Sequence, residues 1–440
     1  MIVGQPIWRD GIAQTEYPRI DTARVRADVA IVGGGFAGLS AAHHVLARRP
    51  GARVVVLEAE RLGAGASGHT TGMLSPGVGQ SLPGLVRRHG FARARALYAA
   101  TLEAVAAVGA LVERERIDCE LEMTGQLVVA RSRAGAARLR TLAVLLERLR
   151  LPGEALDRDA LERLVHLAST PAGAAPAAVR LPIAGTLHPL RLLRGLAERV
   201  TQQGGQIFEG ARVRAIGHGA PVRLQIEGGA VVLADDVVVA TAGYTPGLGL
   251  FRGRVLPVHL QVLATEPLDS AARDALGWKG REGILDSRRV FDYFRLTADD
   301  RIVFGGGHPR YYWGGRGESA GARARALAKL ERELATTFGA ALRLRVTHGW
   351  TGIIGYVADA LPAIHRLPDR PRVLHALGWC GHGVALSLAS GAWLADMLGG
   401  RPHADLPWFR KDLPLLPGEV TRWAGFRASV GLMTLLDRFA

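Results

Sequence analysis

DVAIVGGGFAGLSAAHHVLARRPGARVVVLE, residues 28–58, is the stretch that decides the fold. Val29–Val32 is a β-branched apolar run of the length of a buried strand. Gly33, Gly34, Gly35 and Gly38 follow in the spacing G-x-G-x-x-G. Phe36–Arg49 then reads as a helix, stopped by Pro50-Gly51, and Arg53–Leu57 as a second strand that delivers Glu58 twenty residues beyond Gly38. Each part has a mechanical purpose. Gly33 allows the tight turn, Gly35 lets a pyrophosphate approach the backbone, and Gly38 lets the helix pack closely on the sheet. The free N–H groups at the helix start attract phosphate charge, and Glu58 is placed to accept hydrogen bonds from a ribose. Strand, glycines, helix and acid together predict a dinucleotide-binding unit.

Working outward, 440 residues exceed the size of one comfortable core, so two intimately joined domains are expected. Hydrophobic content of 48% and charged content of 22% are those of a globular protein. The formal net charge of +15 does not read as a nucleic-acid signal. Lysine stands only at Lys279, Lys329 and Lys411, and the arginines are spread along helices rather than gathered in blocks. Cys119 and Cys380 have neither a disulfide framework nor metal-ligand spacing. The opening MIVGQPIWRDG lacks the pattern of a signal peptide, and the glycines and paired His43-His44 argue against a membrane span over 29–47. The expected location is the cytoplasm.

Residues 1–27 read as an irregular lead-in. ERLGAGASGHTTGMLSPGVG after Glu58 is a loop too long for a simple strand-to-helix connection, which marks it as functional. Helices are expected over 84–116 and 133–150, a strand over Thr124–Ala130, a connecting segment over Thr170–Pro182, and a helix over Leu190–Gln202. The strands of GQIFEGARVRAI, VRLQIEGG and AVVLADDVVVATAG follow, the last two joined by a Glu227-Gly228-Gly229 turn. Strands are also expected within 255–265 and 290–305, a charged helix over Ser319–Phe338, and a last helix from near Gly383.

Three further stretches carry a family resemblance: AGASGHTTG at 64–72, VVATAG at 238–243, and GWTGIIGYVADALPAI with LGWCGHGVALS between 349 and 387. Together with the opening motif they resemble the D-amino acid oxidase-like family of FAD-dependent oxidoreductases. FDYFRLTADDRIVFGGG, PVHLQVLATEPL and LPLLPGEVTRWAGFR are most similar to its gamma-glutamylputrescine oxidase-type branch. The resemblance implies an α/β, two-domain fold: a glutathione-reductase-type Rossmann domain over 1–85, 183–250 and 345–405, interleaved with a substrate domain on a large mixed sheet over 86–182 and 251–344, and a helical tail over 406–440. It implies oxidation of the C–N bond of an amine or N-substituted amino acid, with hydride passing to flavin N5 and the imine hydrolysing. Carried over by position, Gly33, Gly35, Phe36, Ala37 and Gly38 would hold the pyrophosphate, and Glu58 with Ala59 the adenosine ribose. Ser67, Gly68, Thr70 and Thr71 would lie along the flavin or ribityl chain, Val213 by the adenine, and Ala242 and Gly243 on a second contact turn. Gly381, His382, Gly383 and Val384 would face the flavin pyrimidine ring. The covalent members' cysteine position, seven residues before Asp359, is Gly352 here, so FAD is expected to be non-covalent. No lysine falls in a matching motif, which leaves O2 and other electron acceptors both open.

For the substrate side, Tyr293 and Arg295 alternate on one strand and share a face. Arg295 is either a fork for a substrate carboxylate or a surface ion pair. Trp350 and Tyr293 are candidates for an aromatic cage around an amine. His382 is either a flavin contact or a loop histidine held by carbonyls, His69 lies in the flavin loop or in solvent, and His188 is a helix-start residue. Cys380 reads as packing. The candidate catalytic set is therefore His382, Tyr293, Arg295 and Trp350. A pyridine-nucleotide flavin monooxygenase or disulfide reductase would need a second nucleotide fingerprint or a CxxC, and the sequence has neither. An FAD-binding subunit of a larger complex is the non-catalytic alternative.

Overall fold

The computed structural model describes the whole chain except residues 14, 21–23, 169–175, 340–341, 417 and 439–440. The strand of the opening motif, Arg24–Val32, runs into Gly33 at φ +106°, a conformation open to glycine at little cost. The helix that follows is Phe36–Arg48, and the second strand is Val54–Leu57. These elements belong to an eight-stranded sheet with a parallel core. Arg24–Val32 lies between Val54–Leu57 and Val231–Val239, with Gln206–Phe208 beyond. Val231–Val239 divides its outer edge between two partners: Val231–Ala234 pairs antiparallel with the Val222–Ile226 strand, and Val237–Val239 pairs parallel with Arg370–Leu377. The helices Phe36–Arg48, Pro189–Gln202 and Gly383–Leu398 share one apolar core on this sheet. Gly391 packs so tightly on Ser40 that a side chain there would overlap it, and Ser40 Oγ donates to Leu388 O at 2.5 Å.

The second sheet has nine strands, in the order Ile2–Val3, Val346–Val357, Val255–Thr265, Ile302–Tyr311, Tyr293–Leu296, Gly283–Asp286, Gln126–Val129, Ala178–Leu181 and Glu154–Leu156. Helix Ala320–Phe338, capped by Ser319, packs its apolar stripe of Leu327, Leu330, Leu334 and Phe338 on one face, against Phe294 and Phe304. On the other face Val262, Ala264, Val303 and Trp350 join the core of the dinucleotide unit. The two units are therefore bound through a shared apolar layer rather than a wet interface.

The structure departs from several sequence expectations. Val346–Val357, placed with the dinucleotide unit at the cut before residue 345, hydrogen-bonds along its length in the nine-stranded sheet, and so does Ile2–Val3. Within Val346–Val357, Gly355 is what lets the strand back onto the Ala242–Gly243 backbone. The segment expected to be a connector over Thr170–Pro182 contains a strand, Ala178–Leu181; its 169–175 part lies outside the described residues. Helix Leu82–Arg114 is interrupted at Gly90, φ +75°, and is half buried along its apolar window although it is long and apolar enough to span a membrane. Residues Leu97, Val105 and Val108 on it pack in the dinucleotide core rather than with the substrate unit.

Candidate functional site

The glycine turn is built so that no side chain fits. A Cβ on Gly38 would overlap the carbonyl of Gly33, and one on Gly33 would lie 2.7 Å from Ala240 O. Gly35 is the N-cap of the first helix and caps it with no side chain. The Phe36 N–H donates to Ser67 Oγ at 3.1 Å, which brings the long loop after Glu58 to the mouth of the helix. Glu58 is tied to the same turn: Gly34 N–H donates to one carboxylate oxygen at 2.9 Å and Glu60 N–H to the other at 3.0 Å. Burial raises the pKa of Glu58, while these two amides favour the ionised form. Ala211 N–H donates to Glu58 O at 2.8 Å, so the residues leading into the Val213–Ile216 strand lie beside Glu58 and Ala59.

The loop beyond carries a short helix, Ala66–His69, followed by Thr70, Thr71 and Gly72. Its His69 ring donates to Gly65 O at 2.9 Å and is buried enough to lose basicity, so it is part of the loop rather than a solvent group. Across from it, His382 precedes the Gly383–Leu398 helix without capping it by a side-chain bond. Its Nδ1 is buried and has no well-formed partner, with only the Cys380 backbone nearby to favour a charge. Burial dominates and lowers the His382 pKa. Gly381 leaves space toward Ile354, and Gly77 toward the His382 ring. Val384 is buried at the first turn of the helix. Ala242, at φ +44°, and Gly243 begin the turn after Val231–Val239, where a Cβ on Gly243 would lie 2.9 Å from Ile354 O. Gly243 thus serves first as the contact between the two sheets.

Of the substrate-side candidates, Tyr293 alone keeps a free polar group. It pairs with Gly305, its ring fills the room that glycine leaves, and its hydroxyl makes no hydrogen bond among the described residues. Arg295 shares its face, as the pleat predicts, but is neither a surface ion pair nor an available fork. It is 1% exposed and donates from Nε to Thr71 O at 3.1 Å, from Nη1 to Leu296 O at 2.8 Å and from Nη2 to Leu187 O at 2.6 Å. Trp350 is wholly buried and its Nε1 donates to His69 O at 2.9 Å, so its ring cannot enclose an amine. Both expectations fail for one reason: these side chains are spent on the backbone of the loop. Trp8, in the lead-in read as irregular, joins them by donating to Thr70 O at 2.7 Å. Nothing in the residues around Trp8 signals this.

The remaining assignments have simple placements. His188 caps the Pro189–Gln202 helix, its Nδ1 accepting from Arg191 N–H at 3.2 Å. Cys380 is buried, its thiol pushed up to about 12, and it accepts from Val357 N–H at 3.4 Å. Asp359, the acid of the matched C-terminal block, is gripped by both terminal nitrogens of Arg410; burial works against its charge, but the pair holds it low. Among the described residues no group of three or more His, Cys, Asp or Glu could hold a metal.

A dinucleotide fits what is here. A side chain on Gly33 or Gly38 would clash. The first helix has no side-chain cap at Gly35, and its Phe36 N–H goes to Ser67. Glu58 stands beside them, and His382 Nδ1, buried at a second helix start, has no well-formed partner among the described residues. Comparison with known proteins agrees. The family described as FAD dependent oxidoreductase, DAO, matches residues 28–397. The chain is 30% identical over 396 residues to the gamma-glutamylputrescine oxidoreductase of Escherichia coli (strain K12), covering 88% of this chain and 87% of that protein. It is 25% identical over 425 residues to sarcosine oxidase subunit beta of Rhizobium meliloti (strain 1021), covering 92% and 90%. The crystal structure of glycine oxidase from Geobacillus kaustophilus superposes with a TM-score of 0.73 at 22% identity, covering 88% of this chain and 98% of that one.

Proposed function

The chain belongs to the DAO family of FAD-dependent oxidoreductases, and from that premise we propose that it oxidises the C–N bond of a small amine or N-substituted amino acid to an imine that water then hydrolyses. FAD, when bound, supplies the two-electron chemistry by accepting a hydride at N5. The protein's part is binding, orientation and exclusion of water. We assign the pyrophosphate to the glycine turn and the amides of Ala37 and Gly38, with Phe36 beside them holding Ser67 through its own N–H. We assign the adenosine end to Glu58, Ala59 and Val213, and the flavin end to Ser67, Gly68, Thr70, Thr71, Ala242 and Gly243. The amides of Gly381, Gly383 and Val384, at the positive end of the last helix, and the His382 ring would meet the pyrimidine ring. With Gly352 in the position that tethers FAD in some relatives, the cofactor is held without a covalent bond.

The observation that carries this reading is the Ser67–Phe36 hydrogen bond, which fastens the long loop to the dinucleotide turn at 3.1 Å. The same loop is tied at Thr71 to Arg295, which shares its face of the second sheet with Tyr293, so the loop lies between the glycine turn and that face. Tyr293 is then the residue that touches substrate, its ring packing against the carbon skeleton and its hydroxyl meeting a polar end. We place the enzyme in the cytoplasm, with the long apolar helix Leu82–Arg114 serving as core. The experiment is anaerobic mixing of the yellow protein with a panel of amines. The reading predicts bleaching of the flavin by at least one amine or N-substituted amino acid and release of FAD, not FMN, on acid precipitation. A flavin that no member of the panel bleaches overturns it.

One feature favours a second reading, an FAD subunit or dehydrogenase that hands electrons to a partner rather than to O2. The C-terminal helix Glu419–Arg438 packs Trp423 and Phe426 inward and leaves Val420, Leu432, Leu435 and Leu436 exposed. Lys329, which reaches His308 at 2.7 Å, is engaged away from the flavin loop. Light scattering on the isolated chain, with turnover measured in O2 and in an artificial dye, separates the two readings.

A further inference from the structure

Three consecutive carbonyl oxygens of the loop, those of His69, Thr70 and Thr71, are each met by a side chain from a different part of the chain. The donors are Trp350 Nε1 from the Val346–Val357 strand, Trp8 Nε1 from the Ile7–Arg9 turn and Arg295 Nε from the Tyr293–Leu296 strand, at 2.9, 2.7 and 3.1 Å. The donors also hold one another. The Trp8 and Trp350 rings meet edge to face at 6.5 Å, and the Arg295 guanidinium carbon lies 5.1 Å from the centre of the Trp8 ring. Arg295 Nη2 reaches Leu187 O, and Leu187 N–H returns a bond to Gly72 O at 2.8 Å, closing the far end of the loop.

Two of these donors are tryptophans whose only hydrogen-bonding group is that one N–H. The third is a cation with no carboxylate oxygen within 4.0 Å among the described residues. Burying a guanidinium without a contacting carboxylate is expensive, and here it is offset by the three carbonyl dipoles, the face of the Trp8 ring and the more distant charges of Glu120, Glu122 and Asp299. Apolar side chains would fill the same space at lower cost, so filling space does not account for these three residues. Their shared effect is to fix the main chain of one loop.

We infer that Trp8, Trp350 and Arg295 are positioning residues that set the 66–72 loop in its FAD-binding shape before FAD arrives. This rests on the reading that the loop contacts FAD. A loop already ordered spares the cofactor the cost of ordering it, which strengthens binding without any added contact.

The test uses the apoprotein of the full chain and the variants Trp8→Phe and Trp350→Phe, which keep a large ring and lose the N–H, with Arg295→Met and Arg295→Lys. Amide exchange over 66–72 is read without FAD; FAD association and affinity are read by quenching of flavin fluorescence, and the bound flavin by its visible spectrum. Each tryptophan variant is expected to speed exchange in the loop, slow FAD association, and weaken affinity by about threefold to tenfold, the worth of one net hydrogen bond, with apoprotein melting close to the parent. Arg295→Met is expected to do more and Arg295→Lys to recover part of the loss. Unchanged loop exchange and unchanged FAD association in both tryptophan variants overturn the inference. A parent protein that takes up no FAD overturns the functional reading instead, while the exchange result still decides the loop.

Discussion

The N–H of Gly34 donates to the carboxylate of Glu58 at 2.9 Å, so the acid at the end of one strand is fastened to the glycine turn at the end of its neighbour. Each oxygen of Glu58 accepts one backbone amide and keeps a lone pair for a ligand. Glu58→Gln preserves the shape and removes the charge. The expected outcome is a loss of FAD affinity of about 1–3 kcal/mol, the worth of hydrogen bonds to a charged acceptor, in a fluorescence titration of the apoprotein. Because burial raises the Glu58 pKa, parent affinity should begin to fall at a pH above the ordinary carboxylate range. Equal affinity of parent and variant would remove Glu58 from the site.

Tyr293, proposed to touch substrate, carries a hydroxyl that makes no hydrogen bond among the described residues. Tyr293→Phe retains the ring packed in the space left by Gly305, so folding and flavin content should be unchanged. The substrate concentration for half-maximal flavin reduction should rise about fivefold to tenfold, as expected for one lost hydrogen bond. Anaerobic stopped-flow reduction measures it, and an unchanged value would show that the hydroxyl faces only water.

Burial lowers the His382 pKa below its ordinary value, so the ring is neutral from about pH 6.5 upward. His382→Asn should therefore shift the flavin potential by the same amount at pH 7 and pH 8.5. In the proposed site the helix amides would then be the main support for negative charge on the reduced ring. A shift that grows between those two pH values would mean that the imidazole is charged there.

Other histidines, His44 among them, link stability to pH. Burial lowers the pKa of His375 to about 3 and that of His188 to about 4, and both rings are therefore neutral in the fold. The unfolded chain binds protons first, so their contribution is complete above about pH 6.5 and is lost as pH falls toward these values. Each adds a slope of about 1.4 kcal/mol per pH unit in that window. Denaturant melts between pH 7.5 and 5 should steepen accordingly, and His375→Asn should remove about one proton from the slope. A parent slope that the substitution leaves unchanged would exclude His375.

Much of the dinucleotide unit was legible because its determinants are local. Gly33, Gly35, Gly38 and Glu58 lie within one strand–helix–strand unit, and their spacing is the mechanism. The pleat also put Tyr293 and Arg295 on one face. What the sequence could not carry was the partner of each side chain. Arg295 is defined by the Thr71 and Leu187 carbonyls, Trp350 by His69, and Trp8 by Thr70, all remote in the chain. The Val346–Val357 strand was hidden by its glycines, and Ala178–Leu181 by the alanines and prolines around it. In each case long-range pairing overrode local composition.

The pairing of Ile2–Val3 with His348–Gly349, and of Val237–Val239 with Val373–His375, also fixes when the protein can be finished. On the ribosome the first strand of the chain, and the outer half of the apolar VVLADDVVV strand, emerge long before their partners exist. Neither sheet can close until the chain through Gly349, for the nine-stranded sheet, or His375, for the eight-stranded sheet, has been made, which places this fold among those with high contact order and slow folding. During that interval Val237–Val239 presents an open, uncharged edge to other chains. Yield in the cell is then governed by the delay between synthesis and closure, so slower translation at lower temperature or added chaperone should recover more folded protein than any gain in the stability of the finished molecule.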